Sequence, residues 1–250
     1  MARASGYGQI CPLAKAAEAL CERWTLLILR ELSFGSSRFG EIHRGVPMIS
    51  PGMLSQRLKE LEDAGVVVKR RAAGSGRPAP GNVSYELTAA GREVAQIMRE
   101  MSAWGKRWAV AELRRDDMEP SYMMWLAHRT IRTAPLGDGR VVIAYELLDA
   151  PAGRRRWWLV VEPGNVDLCF KHPGFAVDLT VSTRLRPMAE LLLGQFAPEA
   201  AVRSGAVRLE GTRALARAFA AWYPRSYEYE PPTARTAARD HRGRGSDARA

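Results

Sequence analysis

The chain has 250 residues, is 46% hydrophobic and carries a net charge of +10, so it can bury two modest cores and suits polyanionic partners. Its three cysteines, Cys11, Cys21 and Cys169, form neither a CxxC spacing nor a disulfide framework, and no apolar run reaches the roughly 18 residues of a membrane span. These features exclude a secreted disulfide scaffold and membrane insertion, and since residues 1–8 lead into no signal-type apolar core, a reducing cytoplasm is the consistent compartment.

Leu13, Ala16, Ala17, Leu20 and Trp24 mark an apolar stripe that predicts a first helix over 11–22, with Cys21 among its core neighbours. Leu26, Leu27, Ile28, Leu29 and Leu32 predict a second helix, apolar on most sides and central to a core, which Gly35 ends. Ser37 is placed to cap a third helix, with Phe39 and Ile42 inward and Arg38, Glu41 and Arg44 outward. Gly40 and Gly45 loosen that helix, and Pro47 closes it.

The stretch from Ser50 to Gly65 is the most informative. Ser50 fits the N-cap, Pro51 the first helical position and Gly65 the C′ stop, while Leu54, Leu58 and Leu61 form one buried stripe. The opposite side carries Gly52, Ser55, Gln56 and Lys59, with Arg57 on the flank. Small and hydrogen-bonding residues near a helix start suit a helix entering a DNA major groove end-first; an ordinary solvated face is the plain alternative.

Val66-Val67-Val68 turns basic at Lys69-Arg70-Arg71, a turn-rich stretch follows to Asn82, and Val83-Ser84-Tyr85-Glu86-Leu87 alternates as a strand before Thr88 caps the next helix. Helix, strand, basic loop, strand, helix is a winged-helix order. Arg57 and Lys59 of the preceding helix and Arg70, Arg71 and Arg77 of the wing are candidate phosphate contacts, and Arg38 is a candidate backbone clamp. Gln56 and Ser55 are candidates for reading base edges. After Thr88, Val94, Ile97, Met101, Trp104 and Trp108 alternate in threes and fours on a helix of about 25 residues, a heptad-like seam that needs a partner. A second copy of the chain is the predicted partner, since symmetric operators are matched by two-fold protein symmetry.

Cys11-Pro12-Leu13, Trp24, Leu26-Leu27-Ile28-Leu29, Arg38-Phe39, Ile49-Ser50-Pro51, Leu54, Gln56-Arg57-Leu58, Leu61, Gly65, Tyr85, Leu87-Thr88 and Gly91 resemble the HxlR-type winged-helix transcriptional regulators over about residues 9–108. The resemblance implies a homodimeric regulator of a two-fold symmetric double-stranded DNA operator. Glu22-Arg23 and Thr25 surround Trp24 where that family more often has Gly-Lys before it and Lys after it. In several members the position matching Cys11 senses oxidants or electrophiles, which makes Cys11 a candidate redox residue; a small buried cysteine is the alternative reading.

Asp116-Asp117-Met118-Glu119-Pro120 predicts a break between a first domain over 9–117 and a second over 120–223. A helix through Tyr122, Trp125 and Ile131 should precede strands at 141–147, 157–161, 166–170 and 177–181, then helices 186–194 and 198–204, a strand 207–209 and a helix 211–222. Turns at hairpin-like intervals predict an antiparallel sheet packed on helices, an α+β domain. Val177-Asp178-Leu179-Thr180-Val181, Leu192-Leu193-Gly194, Ala200-Ala201, Gly205, Val207, Leu209, Gly211 and Leu215 through Phe219 resemble sterol-carrier-protein-type lipid-binding domains. That resemblance implies a cavity for an apolar small molecule, with Trp125, Tyr145, Trp157, Leu159, Phe170, Leu192 and Phe196 as candidate walls. Residues 226–250, rich in Arg, Ala, Pro and Gly, predict a disordered basic tail.

His43, His128, His172 and His241 share no metal-ligand spacing, and no nucleophile triad, carboxylate pair or phosphate loop stands out. The residues therefore predict a regulator with neither catalysis, resident metal nor cofactor, modulated by an apolar ligand. The competing readings are a lipid-binding or transfer protein with accessory DNA contact, and a redox regulator centred on Cys11.

Overall fold

The computed structural model describes residues 6–71, 83–109 and 113–223; Arg77 and the 226–250 tail lie outside the described residues. The chain divides into two compact units with the break after Ala109.

In the first unit, helices α1 (Pro12–Leu20), α2 (Thr25–Ser33), α3 (Phe39–Gly45) and α4 (Pro51–Asp63) precede a two-stranded wing, β1 (Val67–Arg71) and β2 (Val83–Leu87), and a long helix α5 (Ala89–Trp108). Ile28, Leu29, Ile42, Leu54, Leu58 and Leu61 are almost wholly buried and hold these elements around one core. Full burial of each such side chain contributes about 1.5–3 kcal/mol. The wing strands pair antiparallel, with Val67 opposite Leu87 and Arg71 opposite Val83.

Five expectations need correction here. Helix α1 fully buries none of its residues. Leu20 and, beyond the helix, Trp24 pack partly buried against the core, but Leu13 is 77% exposed, so that end of the apolar stripe is uncovered within one chain; Cys21 is exposed rather than core. Helix α2 is one-sided: Leu27 is 40% exposed. The N-cap of α3 is Arg38, not Ser37, because the Glu41 carboxylate accepts from both the Ser37 and Arg38 backbone N–H groups at 2.9 and 3.0 Å. Gly45 does not loosen α3. It is buried, its carbonyl accepts from Arg30 Nη2 at 2.9 Å, and a Cβ there would lie 1.9 Å from the Glu31 carboxyl group. Glu31 is itself 1% exposed and paired with Arg30 at 3.0 Å, so the absent side chain makes room for a buried charge that is already satisfied.

The second unit contains α6 (Pro120–Thr130), β3 (Val141–Leu147), β4 (Arg156–Glu162), β5 (Asn165–Cys169), β6 (Leu179–Thr183), α7 (Leu185–Leu192), α8 (Pro198–Arg203), β7 (Val207–Gly211) and α9 (Arg213–Ala218). The five strands run in the order β5-β4-β3-β6-β7. Register puts Ile143 beside Leu159 and Leu179, and Tyr145 beside Trp157 and Val181. Because side chains alternate across a strand, these residues share one apolar face. The helices contribute Met123, Met124, Met188 and Leu191 to the same core.

The sheet is mixed rather than antiparallel throughout: β3 and β6 are parallel. The chain leaves the β5 edge and returns beside β3, two strands away, so β6 enters in the direction of β3. Asp178, just before β6, fixes this entry. Its carboxylate accepts from Val142 N–H at 2.8 Å, and its own N–H donates to the Val142 carbonyl at 2.9 Å.

Candidate functional site

Helix α4 is bounded as its residues require. The Ser50 hydroxyl accepts from Met53 N–H at 3.2 Å. At the other end Gly65 has φ +71°, which L side chains rarely adopt, and the Gly65 and Val66 N–H groups return to the Glu62 and Leu61 carbonyls at 3.0 Å each. Leu54, Leu58 and Leu61 are at most 2% exposed, whereas Ser50, Gly52, Ser55, Gln56 and Lys59 are all exposed. The helix thus anchors one face in the core and presents small, polar and cationic residues on the other.

Two candidates on that face have partners. Gln56 Nε2 donates to Glu60 Oε1 at 2.9 Å, and Arg57 Nη1 donates to Glu60 Oε2 at 2.5 Å. Arg57 Nη2 reaches Glu22, in the turn between α1 and α2, at 3.0 Å, and only 12% of the Arg57 side chain is exposed. Partial burial alone would raise the Glu60 carboxyl's pKa, but the hydrogen bonds from Gln56 and Arg57 and the Arg57 charge outweigh it and hold the group below its ordinary value. Glu22 and Glu60 are the site residues that composition did not single out. Only Glu60 carries a local signal, its spacing: it lies four residues after Gln56 and three after Arg57, within reach on one helix face, whereas Glu22 is 35 residues from Arg57.

Arg38 is exposed at the N-cap of α3, and its neighbour Ser37 accepts through its carbonyl from Tyr85 N–H of β2 at 2.8 Å. The start of α3 is thereby joined to the wing. On the wing Arg70 sits 3.7 Å from Glu86, both exposed, and Arg71 is exposed at the end of β1. The Lys69 ammonium lies 6.0 Å from the Tyr85 ring centre.

On α5 the buried positions are Gly91, Ala95 and Met98, while Ile97, Met101, Trp104 and Trp108 are 49–70% exposed. Only Val94 of the predicted seam packs against its own core. Ile10, fully exposed, and Leu13 add apolar surface at the other end of the unit's sequence. Cys11 is the N-cap of α1 and is exposed, which corrects the buried reading of that thiol.

In the second unit Trp125, Tyr145, Trp157, Leu159 and Leu192 are at most 6% exposed; the last four belong to one packed core, and Trp125 stacks on His128. Phe196 packs against that core, whereas Phe170 is 55% exposed and tilts against Trp157. The Tyr145 and Tyr223 hydroxyls are hydrogen-bonded to each other in this core, and burial pushes both phenols up. A separate open cleft of about 540 Å³ lies among β7, α8 and α9, with Val202, Val207, Leu209 and Ala216 along it and Arg208, Arg213 and Arg217 around it. Among the described residues no group of three or more His, Cys, Asp or Glu could hold a metal ion, and no helix is long and apolar enough to cross a membrane.

Residues 19–113 match the model of the HxlR-like helix-turn-helix, and residues 134–222 that of the SCP-2 sterol transfer family. The chain is 42% identical over 101 residues, 40% of its length and 90% of the relative's, to the uncharacterized HTH-type transcriptional regulator YvaP of Bacillus subtilis (strain 168). It is 37% identical over 100 residues, 40% of its length and 86% of the relative's, to the HTH-type transcriptional regulator YodB of the same organism. Among solved structures, the reduced form of YodB from B. subtilis is 35% identical, with 42% of this chain and 100% of that chain covered and a TM-score of 0.36.

Proposed function

The chain belongs to the HxlR-like helix-turn-helix family of DNA-binding transcriptional regulators and carries an SCP-2 domain behind that module, and we propose that it acts as a homodimer whose operator affinity an apolar effector adjusts. One observation carries the DNA part: α4 is capped and buried on its leucine side while Gly52, Ser55, Gln56 and Lys59 remain exposed on the other. Lys59, Arg38, Arg70 and Arg71 supply salt-sensitive affinity by neutralising phosphates, and Ser55 and Gln56 read base edges. Ser50, Gly52 and Arg57 complete the face, Ser50 by capping α4 and Arg57 by holding its orientation against Glu22 and Glu60.

The exposed seam of Ile97, Met101, Trp104 and Trp108 supports the dimer, since so much aromatic and aliphatic surface on one helix marks an interaction face. The SCP-2 match supports the effector, which acts only if it binds one dimer geometry better than another. The test is selection of bound duplexes from a random library by the full chain, repeated after extraction of the protein with organic solvent. Enrichment of a two-fold symmetric motif, with affinity altered by extraction, fits the reading; loss of any enrichment in both states refutes it.

The exposure of Cys11 favours one second reading, a thiol switch. Cys11→Ser that responds to mild electrophile as the wild type does would remove it.

A further inference from the structure

We propose that Glu60 is a specificity-determining residue: by holding the Gln56 amide by its nitrogen, it sets that side chain to read adenine. The proposal rests on the DNA-reading role given above to α4, and names the base that one of its residues selects.

An ionised carboxylate only accepts hydrogen bonds, so the end of Gln56 that faces Glu60 must be the NH2 group. Its Nε2 lies 2.9 Å from Glu60 Oε1. That contact uses one N–H and leaves Gln56 with a carbonyl oxygen and a single remaining N–H to offer. In the major groove adenine presents an N6 donor beside an N7 acceptor, and an acceptor–donor pair on one amide matches both. Guanine presents two acceptors, O6 and N7, to the same amide, and the oxygen of Gln56 would face one of them unpaired.

Glu60 can impose this because it is itself fixed. Its second oxygen takes Arg57 Nη1 at 2.5 Å, and the other end of the Arg57 guanidinium is held by Glu22 at 3.0 Å. The arginine side chain is 12% exposed, against 45% for Glu60, so the more buried partner anchors the more exposed one. Gln56 therefore meets the groove with its rotamer already chosen, and less side-chain freedom is lost on binding.

The experiment is selection from a duplex library with about 20 random base pairs, using the full chain as wild type, Gln56→Ala, Glu60→Ala and Glu60→Gln. Wild type should favour adenine over guanine by about tenfold at the position in each half-site that Gln56→Ala erases. Both Glu60 variants should reduce that preference to about twofold at that position, leaving the other positions and the half-site spacing as they are. The retained positions show that the variants fold. Glu60→Gln serves as the isosteric check, because its amide can turn either end toward Gln56. A Glu60→Gln protein that keeps the full adenine preference, or a wild type that prefers another base there, overturns the proposal. A wild type that selects no sequence overturns the DNA reading first, and this inference with it.

Discussion

Arg57 and Glu22 meet at 3.0 Å although 35 residues separate them, and this ion pair joins the exposed side of α4 to the turn between α1 and α2. It fixes the rotation of a helix whose opposite face is already held by Leu54, Leu58 and Leu61. Arg57→Ala should lower the stability of the first unit by about 1 kcal/mol, since both carboxylates remain partly solvated. Arg57→Lys should recover only part of this, because an ammonium cannot span two carboxylates as a guanidinium fork does. Thermal unfolding of the two variants measures both effects. The pH dependence follows from Glu60, whose folded carboxyl sits below its ordinary 4.5. Its contribution is present above that value and is lost as pH falls through the lower folded one. The stability gap between wild type and Glu60→Gln should therefore be open at neutral pH and close in acid.

The α5 seam predicts a change in assembly. Ile97→Glu with Trp104→Glu places charges on a face that is already exposed in one chain, so the fold should survive. Sedimentation at micromolar concentration should show the wild type as a dimer and the variant as a monomer that still unfolds cooperatively, its melting temperature lowered only by the loss of association. A wild type that sediments as a monomer contradicts the assignment of the seam.

The wing predicts a salt effect without a sequence effect. Arg71 is exposed at the end of β1, while Arg70 shares its charge with Glu86 at 3.7 Å. Arg71→Ala should reduce the slope of log affinity against log salt by about 1 and leave base preferences unchanged. Arg70→Ala should change the slope less. Titrations of one duplex over a range of salt concentrations distinguish the two.

The second unit offers a test of its core. Tyr145 and Tyr223 are each 1% exposed, and their hydroxyls are hydrogen-bonded to each other. Tyr145→Phe strands the Tyr223 hydroxyl and should destabilise the unit by about 1–3 kcal/mol, whereas the double Phe variant should recover much of the loss. Chemical denaturation of the single and double variants reads the difference directly.

Local signals were legible in the sequence. Ser50, Pro51 and Gly65 bound α4 as their chemistry requires, Thr88 caps α5, and β3 runs over 141–147 as its apolar run predicts. What the sequence concealed depends on distant partners. The role of Gly45 is set by Glu31, that of Arg57 by Glu22, and the direction of β6 by the crossing from β5, none of which hydropathy patterning reports. Helix α1 shows the converse: its apolar spacing is real, but its Leu13 face has nothing over it in a single chain. The residues expected along a ligand cavity are a related case. Tyr145, Trp157 and Leu159 lie in the packed core, and side chains that line a cavity have the same composition as those that fill one, so patterning alone does not separate the two.

The most direct test compares wild type with the Gln56→Ala, Lys59→Ala double variant in selection from genomic fragments. The wild type should enrich fragments sharing a two-fold symmetric motif, and the double variant should retain only salt-sensitive, unselective binding. Equal enrichment of the same fragments by both proteins would contradict the account.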